Sequence, residues 1–198
     1  MKKWITLFVF TITTFTTIQA QQQASFGITG GLLNTNADIK IGALGFDIAN
    51  IDAINETGFY VGLLADLPLG ESFHIQPEAT YGKTGDLEFF YVPVLAKYYV
   101  TPGLNLQLGP QFNYSSNLGE IKDNLRDIED IIGTDLNVAD MIKSTAFDLA
   151  FGLGYDINDK FLVQARYAIP LTDRYDGPLG GSIDIKNTTL QVGLAYKF

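Results

Sequence analysis

Between residues 187 and 198 the chain alternates without a break. Thr188, Leu190, Val192, Leu194, Tyr196 and Phe198 share one face of an extended strand, and Asn187, Thr189, Gln191, Gly193, Ala195 and Lys197 share the other. An apolar face closing on Tyr and Phe, set against small and polar residues, is the pattern of a membrane-spanning β-strand. Lipid lies on one side, a polar interior on the other, and aromatics mark the boundary.

Seven further segments upstream carry the same period, so the expected strands are Ala24 to Leu33, Thr57 to Leu67, Phe73 to Lys83, Glu88 to Val100, Leu104 to Ser115, Thr145 to Ile157, Phe161 to Leu171 and Asn187 to Phe198. Their connections alternate in length. Pro68 to Ser72, Thr101 to Gly103 and Asn158 to Lys160 are tight turns, whereas Asn34 to Glu56, Asn117 to Ser144 and Thr172 to Lys186 are long. Only the link at Thr84 to Leu87 is short on the long-loop side. An even number of strands with alternating short and long links predicts an all-β fold, an eight-stranded antiparallel up-and-down transmembrane β-barrel. The tight turns are expected in the periplasm and the long loops outside.

Parity assigns the faces. In the sixth strand Phe147, Leu149, Phe151, Leu153, Tyr155 and Ile157 oppose Asp148, Ala150, Gly152, Gly154 and Asp156. In the seventh, Arg166 falls with Leu162, Gln164 and Ala168 on the inner face; at the lipid midplane an Arg would cost about 2–4 kcal/mol. The fifth strand places Asn105, Gln107, Gly109, Gln111, Asn113 and Ser115 inside. A soluble barrel turned inside out would have to pack eight faces of Phe, Leu, Tyr and Val into a narrow interior, which they would overfill. Pro77, Pro93, Pro110 and Pro170 lie within these strands and cannot donate to a ladder. They imply bulges or strand ends, and a bulge would shift the parity beyond it.

The N-terminus supplies an address. Lys2 and Lys3, an apolar run from Trp4 to Phe15 and the small residue Ala20 before Gln21 have the layout of a cleaved secretory signal peptide, giving residues 1–20 as leader and 21–198 as barrel domain. With 0 Cys, neither a lipid-modified cysteine nor a disulfide framework is available. The formal net charge of −9 becomes −11 once Lys2 and Lys3 are removed, which excludes nucleic acid as a partner. Outer-membrane lipid is the expected surrounding, with a monomeric barrel.

Inside the barrel, Glu78 and Lys97 fall on neighbouring strands, as do Asp148 and Arg166, giving two expected ion pairs. Tyr91, Gln107, Gln111 and Gln164 complete the polar network. Such a network is read as a structural filling, since buried charges need partners. A gate or proton path is the functional alternative, and a narrow channel for a small solute remains a further reading of the whole barrel. A wide pore does not fit eight strands. The single His, His74, begins the third strand near the turn end, where no triad can be assembled around it, so no catalytic residue is assigned. Gly152-Leu153-Gly154 lies within a strand with no helix following, so no nucleotide cofactor is expected. Asn34, Asn36 and Asp38 have the opening spacing of a calcium loop, but Ile39 stands where Gly is required, so no metal site is assigned.

In the third outer loop, Asn117 to Ser144, Ile121, Leu125, Ile128 and Ile132 recur at helical spacing among Glu120, Asp123, Asp127, Glu129 and Asp130, which predicts a short amphipathic helix. It would serve as a lid on the barrel mouth or as a docking surface. Ile121, Leu125, Ile128, Asp127 and Asp130 are the candidate contacts for a protein partner. The three long loops carry 14 acidic and 6 basic residues.

Several stretches in series carry a family resemblance: Gln76-Pro77-Glu78 followed by Tyr81, Pro93 to Tyr99, Leu108-Gly109-Pro110, Asp148 through Tyr155, Ala165-Arg166-Tyr167 and Gly193 to Phe198. Together they resemble the PorT-like outer-membrane β-barrels of Bacteroidetes, small barrels akin to that of OmpA. The long first and third loops depart from that pattern. The resemblance implies an outer-membrane location in a Gram-negative cell, and for some relatives an accessory role in secretion. Two functions follow: a structural or surface-interaction barrel acting through its acidic loops, or an accessory to protein secretion or transport.

Overall fold

The computed structural model describes residues 23–43, 46–116, 143–172 and 183–198, with residues 37–43, 46–54 and 183–185 described by their backbone alone. Eight strands follow in order: β1 (Ser25–Ala43), β2 (Phe46–Pro68), β3 (Phe73–Thr84), β4 (Leu87–Tyr99), β5 (Leu104–Ser115), β6 (Thr145–Asp156), β7 (Phe161–Pro170) and β8 (Ile183–Lys197). Each pairs antiparallel with the next, and β8 returns to β1, closing the barrel.

Local chemistry sets the turns. Gly103 takes φ 85°, a left-handed conformation that lets the β4–β5 link reverse in four residues. Asn158 Oδ1 accepts the backbone N–H groups of Lys160 and Phe161, both at 2.9 Å, and so closes the β6–β7 link. These links, with the β2–β3 turn, define the turn end of the barrel. At the opposite loop end, Gly85 at φ 54° permits a two-residue turn between Thr84 and Leu87.

The faces follow the alternation. In β5, Asn105, Gln107, Gln111, Asn113 and Ser115 are buried, while Leu106, Leu108 and Tyr114 are exposed. In β7, Leu162, Gln164, Arg166 and Ala168 are buried between exposed Phe161, Val163, Tyr167 and Ile169. The exposed apolar belt is therefore the lipid-facing surface, not a defect of packing.

Two expectations need correction. The four prolines do not shift register. Pro77 faces Val94 and Thr80 faces Tyr91 in one unbroken count, and the same holds for Pro93↔Gln111 followed by Ala96↔Leu108. Each interior proline leaves a local gap in a ladder, Pro110 lies opposite Leu149, and Pro170 ends β7 opposite Asp148. A missing N–H removes a bond without adding a residue, so parity survives.

The first long loop is also not a loop. β1 and β2 pair from Ser25↔Asp66 to Ala43↔Phe46, with register shifts only at Ala37/Asp38 and Ile41/Gly42. β8 accompanies β1 as far as Ile41↔Ile183, whereas β2–β3 pairing ends at Phe59↔Lys83 and β7–β8 pairing at Ala168↔Thr189. A three-stranded sheet, β2-β1-β8, thus continues past the rim. Its residues supply the reason: Ile39 and Ile41 alternate with Asp38 and Lys40, and Ile183 and Ile185 with Asp184 and Lys186.

Apolar side chains also face the interior, as the inward parity of Ala150, Leu162, Ala168 and Ala195 requires. Leu64, Leu162 and Ala195 form one buried cluster and Leu95, Ala150 and Ala168 another. The helix expected around Ile121 to Ile132 lies outside the described residues, as does the leader.

Candidate functional site

The lumen concentrates the chemistry of the described residues. Glu78, Lys97, Asp148 and Arg166 are all buried within it, at most 4% exposed, but they do not pair as the sequence suggests. Lys97 stands opposite His74, four residues from Glu78, and Asp148 stands opposite Pro170, four residues from Arg166. Four residues are about 13 Å along a strand, too far for either neighbouring-strand pair. Parity gives the face, and height decides the partner.

Arg166 instead reaches across the lumen. Its Nη2 donates to Glu78 Oε2 at 2.7 Å, joining β7 to β3, which lie four strands apart on opposite walls of the barrel. Gln76 Nε2 donates to the other oxygen of Glu78 at 2.6 Å and to Gln164 Oε1 at 3.3 Å, and Gln164 Nε2 donates to Thr29 Oγ1 at 3.1 Å. These contacts form a strut from wall to wall. Near the loop end, Asp148 Oδ2 accepts from Gln111 at 3.1 Å and from Asn113 at 3.2 Å.

Closer to the turn end the charges close a hoop. Lys97 Nζ on β4 donates to Asp66 Oδ2 on β2 at 3.0 Å. Tyr99, also on β4, donates its hydroxyl to Asp156 Oδ2 on β6 at 2.7 Å. Lys197 Nζ on β8 donates to Asp156 Oδ1 at 2.7 Å and lies 3.7 Å from Asp66 Oδ2, which returns the circuit to β2. The gap on β4 is bridged by Lys97 Nζ, 5.3 Å from the Tyr99 ring centroid. The even-numbered strands are therefore tied in one ring of side chains.

His74 joins this hoop. Its Nδ1 stands 2.7 Å from Asp66 Oδ1, and its ring packs against Tyr99 at 4.8 Å. Below lies an open cleft of about 350 Å³ lined by Glu71, His74, Tyr99, Gly103, Asp156, Asn158, Asp159 and Lys197. Asp66 was missed because the inner face of β2, with Gly58, Tyr60, Gly62 and Leu64 before it, reads as apolar. Asp156 and Lys197 have inward parity, but cross-lumen contacts carry no sequence spacing.

The family model for the outer membrane protein β-barrel domain matches residues 6–198. The chain belongs to this family. It is an outer-membrane protein, embedded in lipid through the exposed belt. Among solved structures it is similar to Ail, the attachment invasion locus protein of Yersinia pestis, at 16% identity and TM-score 0.46, covering 89% of this chain and 100% of that one. Neisserial surface protein A is similar at 15% identity and TM-score 0.47, with the same coverage of 89% and 100%. OprG of Pseudomonas aeruginosa is similar at 16% identity and TM-score 0.41, covering 91% and 98%. No curated protein matches the sequence.

The candidate loop contacts Ile121, Leu125, Ile128, Asp127 and Asp130 lie outside the described residues.

Proposed function

We propose that this protein is a barrel with a side-chain-filled lumen that acts at the cell surface, as a structural element or as a docking platform built on its outer segments. The observation that carries this reading is the continuation of β1, β2 and β8 beyond the rim. Long paired strands outside the bilayer add nothing to spanning it, whereas they do hold a surface in a fixed shape. The excess of acidic residues in the outer segments, 14 against 6 basic, gives the protein's outer side a sign, suited to basic partners.

The strut, the hoop and the buried leucines support the filled lumen and weigh against a solute channel. They equally favour a structural role for Glu78, Lys97, Asp148 and Arg166 over a gate. A non-enzymatic role fits the cleft at the turn end, where the Asp66–His74 pair meets no Ser, Thr or Cys nucleophile among the lining residues. In this reading the turn end faces the periplasm, residues 1–20 are a removed leader and the barrel is a monomer.

The second reading is an accessory role in secretion, which the PorT-like sequence stretches favour. Isolation from detergent-solubilised membranes separates the two. The surface reading expects an isolated barrel, and a stable complex with secretion components would replace it by the second. Orientation is tested with epitope tags on intact cells: one near Gly133 should be reached by antibody and one between Asn158 and Lys160 should not.

A further inference from the structure

The sheet that continues past the rim reverses its polarity on the way. Below the rim the outward positions of β1, β2 and β8 are apolar, with Ile28, Leu32, Phe59, Leu63, Leu190 and Val192 all exposed. A polar collar ends this belt. Asn34 Nδ2 stands 3.1 Å from Asn55 Oδ1, 3.2 Å from the Glu56 carbonyl oxygen and 3.0 Å from Thr57 Oγ1, and Thr188 Oγ1 donates to the Asn36 carbonyl at 3.4 Å. Above the collar the outward positions are Asp38 and Lys40 on β1, Asn50 and Asp52 on β2, and Asp184 and Lys186 on β8.

The opposite face reverses in the other sense. β1 and β8 pair in one unbroken count from Gly27↔Lys197 to Ile41↔Ile183, so Ile39, Ile41, Ile183 and Ile185 hold the parity of buried Leu33, Thr35, Thr189 and Gln191 on the lumen wall. The register shift at Ala37/Asp38 keeps β2 in step, with Ile54 opposite Ala37 and Ile51 opposite Ile39. Six isoleucines of three adjacent strands thus share the face that continues the lumen wall beyond the collar. The described residues form a single closed sheet, so among them no second strand layer lies on that face. An apolar patch of this kind, standing outside the lipid, calls for a cover.

We propose that residues 121–132 of this same chain, which lie outside the described residues, seat on the isoleucine face. Ile121, Leu125, Ile128 and Ile132 fall within about 60° of one another at about 100° per helical residue, a single apolar stripe, while Asp123 and Asp130 fall opposite. Residues 44–45 and 173–182, the other loop-end segments outside the described residues, carry no such stripe. Chain length allows the contact. Residues 117–142 leave from β5 and return to β6, and β5 lies four strands from β1, across a barrel roughly 16 Å wide for eight strands about 4.8 Å apart at a tilt of about 40°. The four residues 117–120 reach about 13 Å when extended, and the stripe adds about 18 Å as a helix. A segment tethered at both ends is also favoured over a free partner by its effective concentration at the face. The seat buries Ile121, Leu125 and Ile128 within the molecule, and leaves Asp127, Asp130 and the charged outward face of the sheet as the surface offered to a partner.

The test uses the full chain in isolated outer membranes, where a sequence with 0 Cys lets each introduced pair report alone. Four double variants join Ile39→Cys to Ile121→Cys, Leu125→Cys, Ile128→Cys or Ile132→Cys. In the controls Lys40→Cys replaces Ile39→Cys, or Asp130→Cys replaces the stripe position. On mild oxidation at least one stripe pair should form an intramolecular disulfide about tenfold faster than either control, read as a gel-mobility shift that reductant reverses. Equal rates in pairs and controls, or no stripe disulfide at all, would overturn the proposal. Disulfide-linked dimers of Ile39→Cys alone would overturn it as well and assign the face to a second copy. Labelling of the single Ile39→Cys variant with a polar maleimide gives an independent reading: it should be slow in the otherwise native chain and about tenfold faster once Leu125→Asp and Ile128→Asp are added. A rate that those two changes leave unaltered, slow or fast, would refute the seat. Isolated membranes expose both sides, so neither result depends on the orientation of the barrel, and failure here leaves the surface reading to its own tests.

Discussion

The strut and the hoop are built from the same residue types in the same narrow lumen, yet they distribute charge in different ways. In the strut, Arg166 is tied to one carboxylate, Glu78, and no second cation approaches that carboxylate among the described residues. In the hoop, Asp66 meets Lys97, Lys197 and His74, while Asp156 meets Lys197 and Tyr99. A one-to-one pair spanning opposite walls concentrates its energy in a single contact. A ring tying alternate strands spreads it, so that each carboxylate keeps a partner when one is lost.

The largest effect should therefore come from the strut. Arg166→Ala leaves Glu78 buried with an amide as its remaining partner, and the refolded barrel should lose about 3–5 kcal/mol, read as a lower urea midpoint. Combining Arg166→Ala with Glu78→Gln should restore part of that loss, because the stranded charge is removed with the pair. Double-mutant destabilisation equal to the sum of the singles would mean that the two residues do not interact.

A smaller effect is expected from the hoop. Lys97→Met leaves Asp66 with His74 and Lys197, so the loss should be about 1–3 kcal/mol in the same urea series. If Lys97→Met matches Arg166→Ala, the hoop has no redundancy and the contrast fails. The smallest effect belongs to Lys83 and Glu88, 3.6 Å apart and about two-fifths exposed on each side. Lys83→Ala should change stability by less than about 1 kcal/mol.

Strand number, closure and inward parity were legible in the sequence because each strand repeats one rule against lipid, and a single misplaced residue such as Arg166 would be penalised directly. Partner choice was not legible. Glu78 and Arg166 are separated by 88 residues and meet across the lumen, a juxtaposition that no local spacing encodes. The prolines misled for a different reason: a missing donor suggests a bulge, yet a closed ladder can omit the bond and keep its register. The outer part of β1 and β2 was hidden by Asn34, Asn36 and Asn55, residues that favour turns on their own but here lie within paired strands.

If strut, hoop and buried leucines together close the lumen, as proposed, the purified, refolded protein should not conduct in planar bilayers. The wild type should give a flat current trace, with no stable open level at either polarity. A steady, ohmic, wide pore in repeated reconstitutions would contradict it.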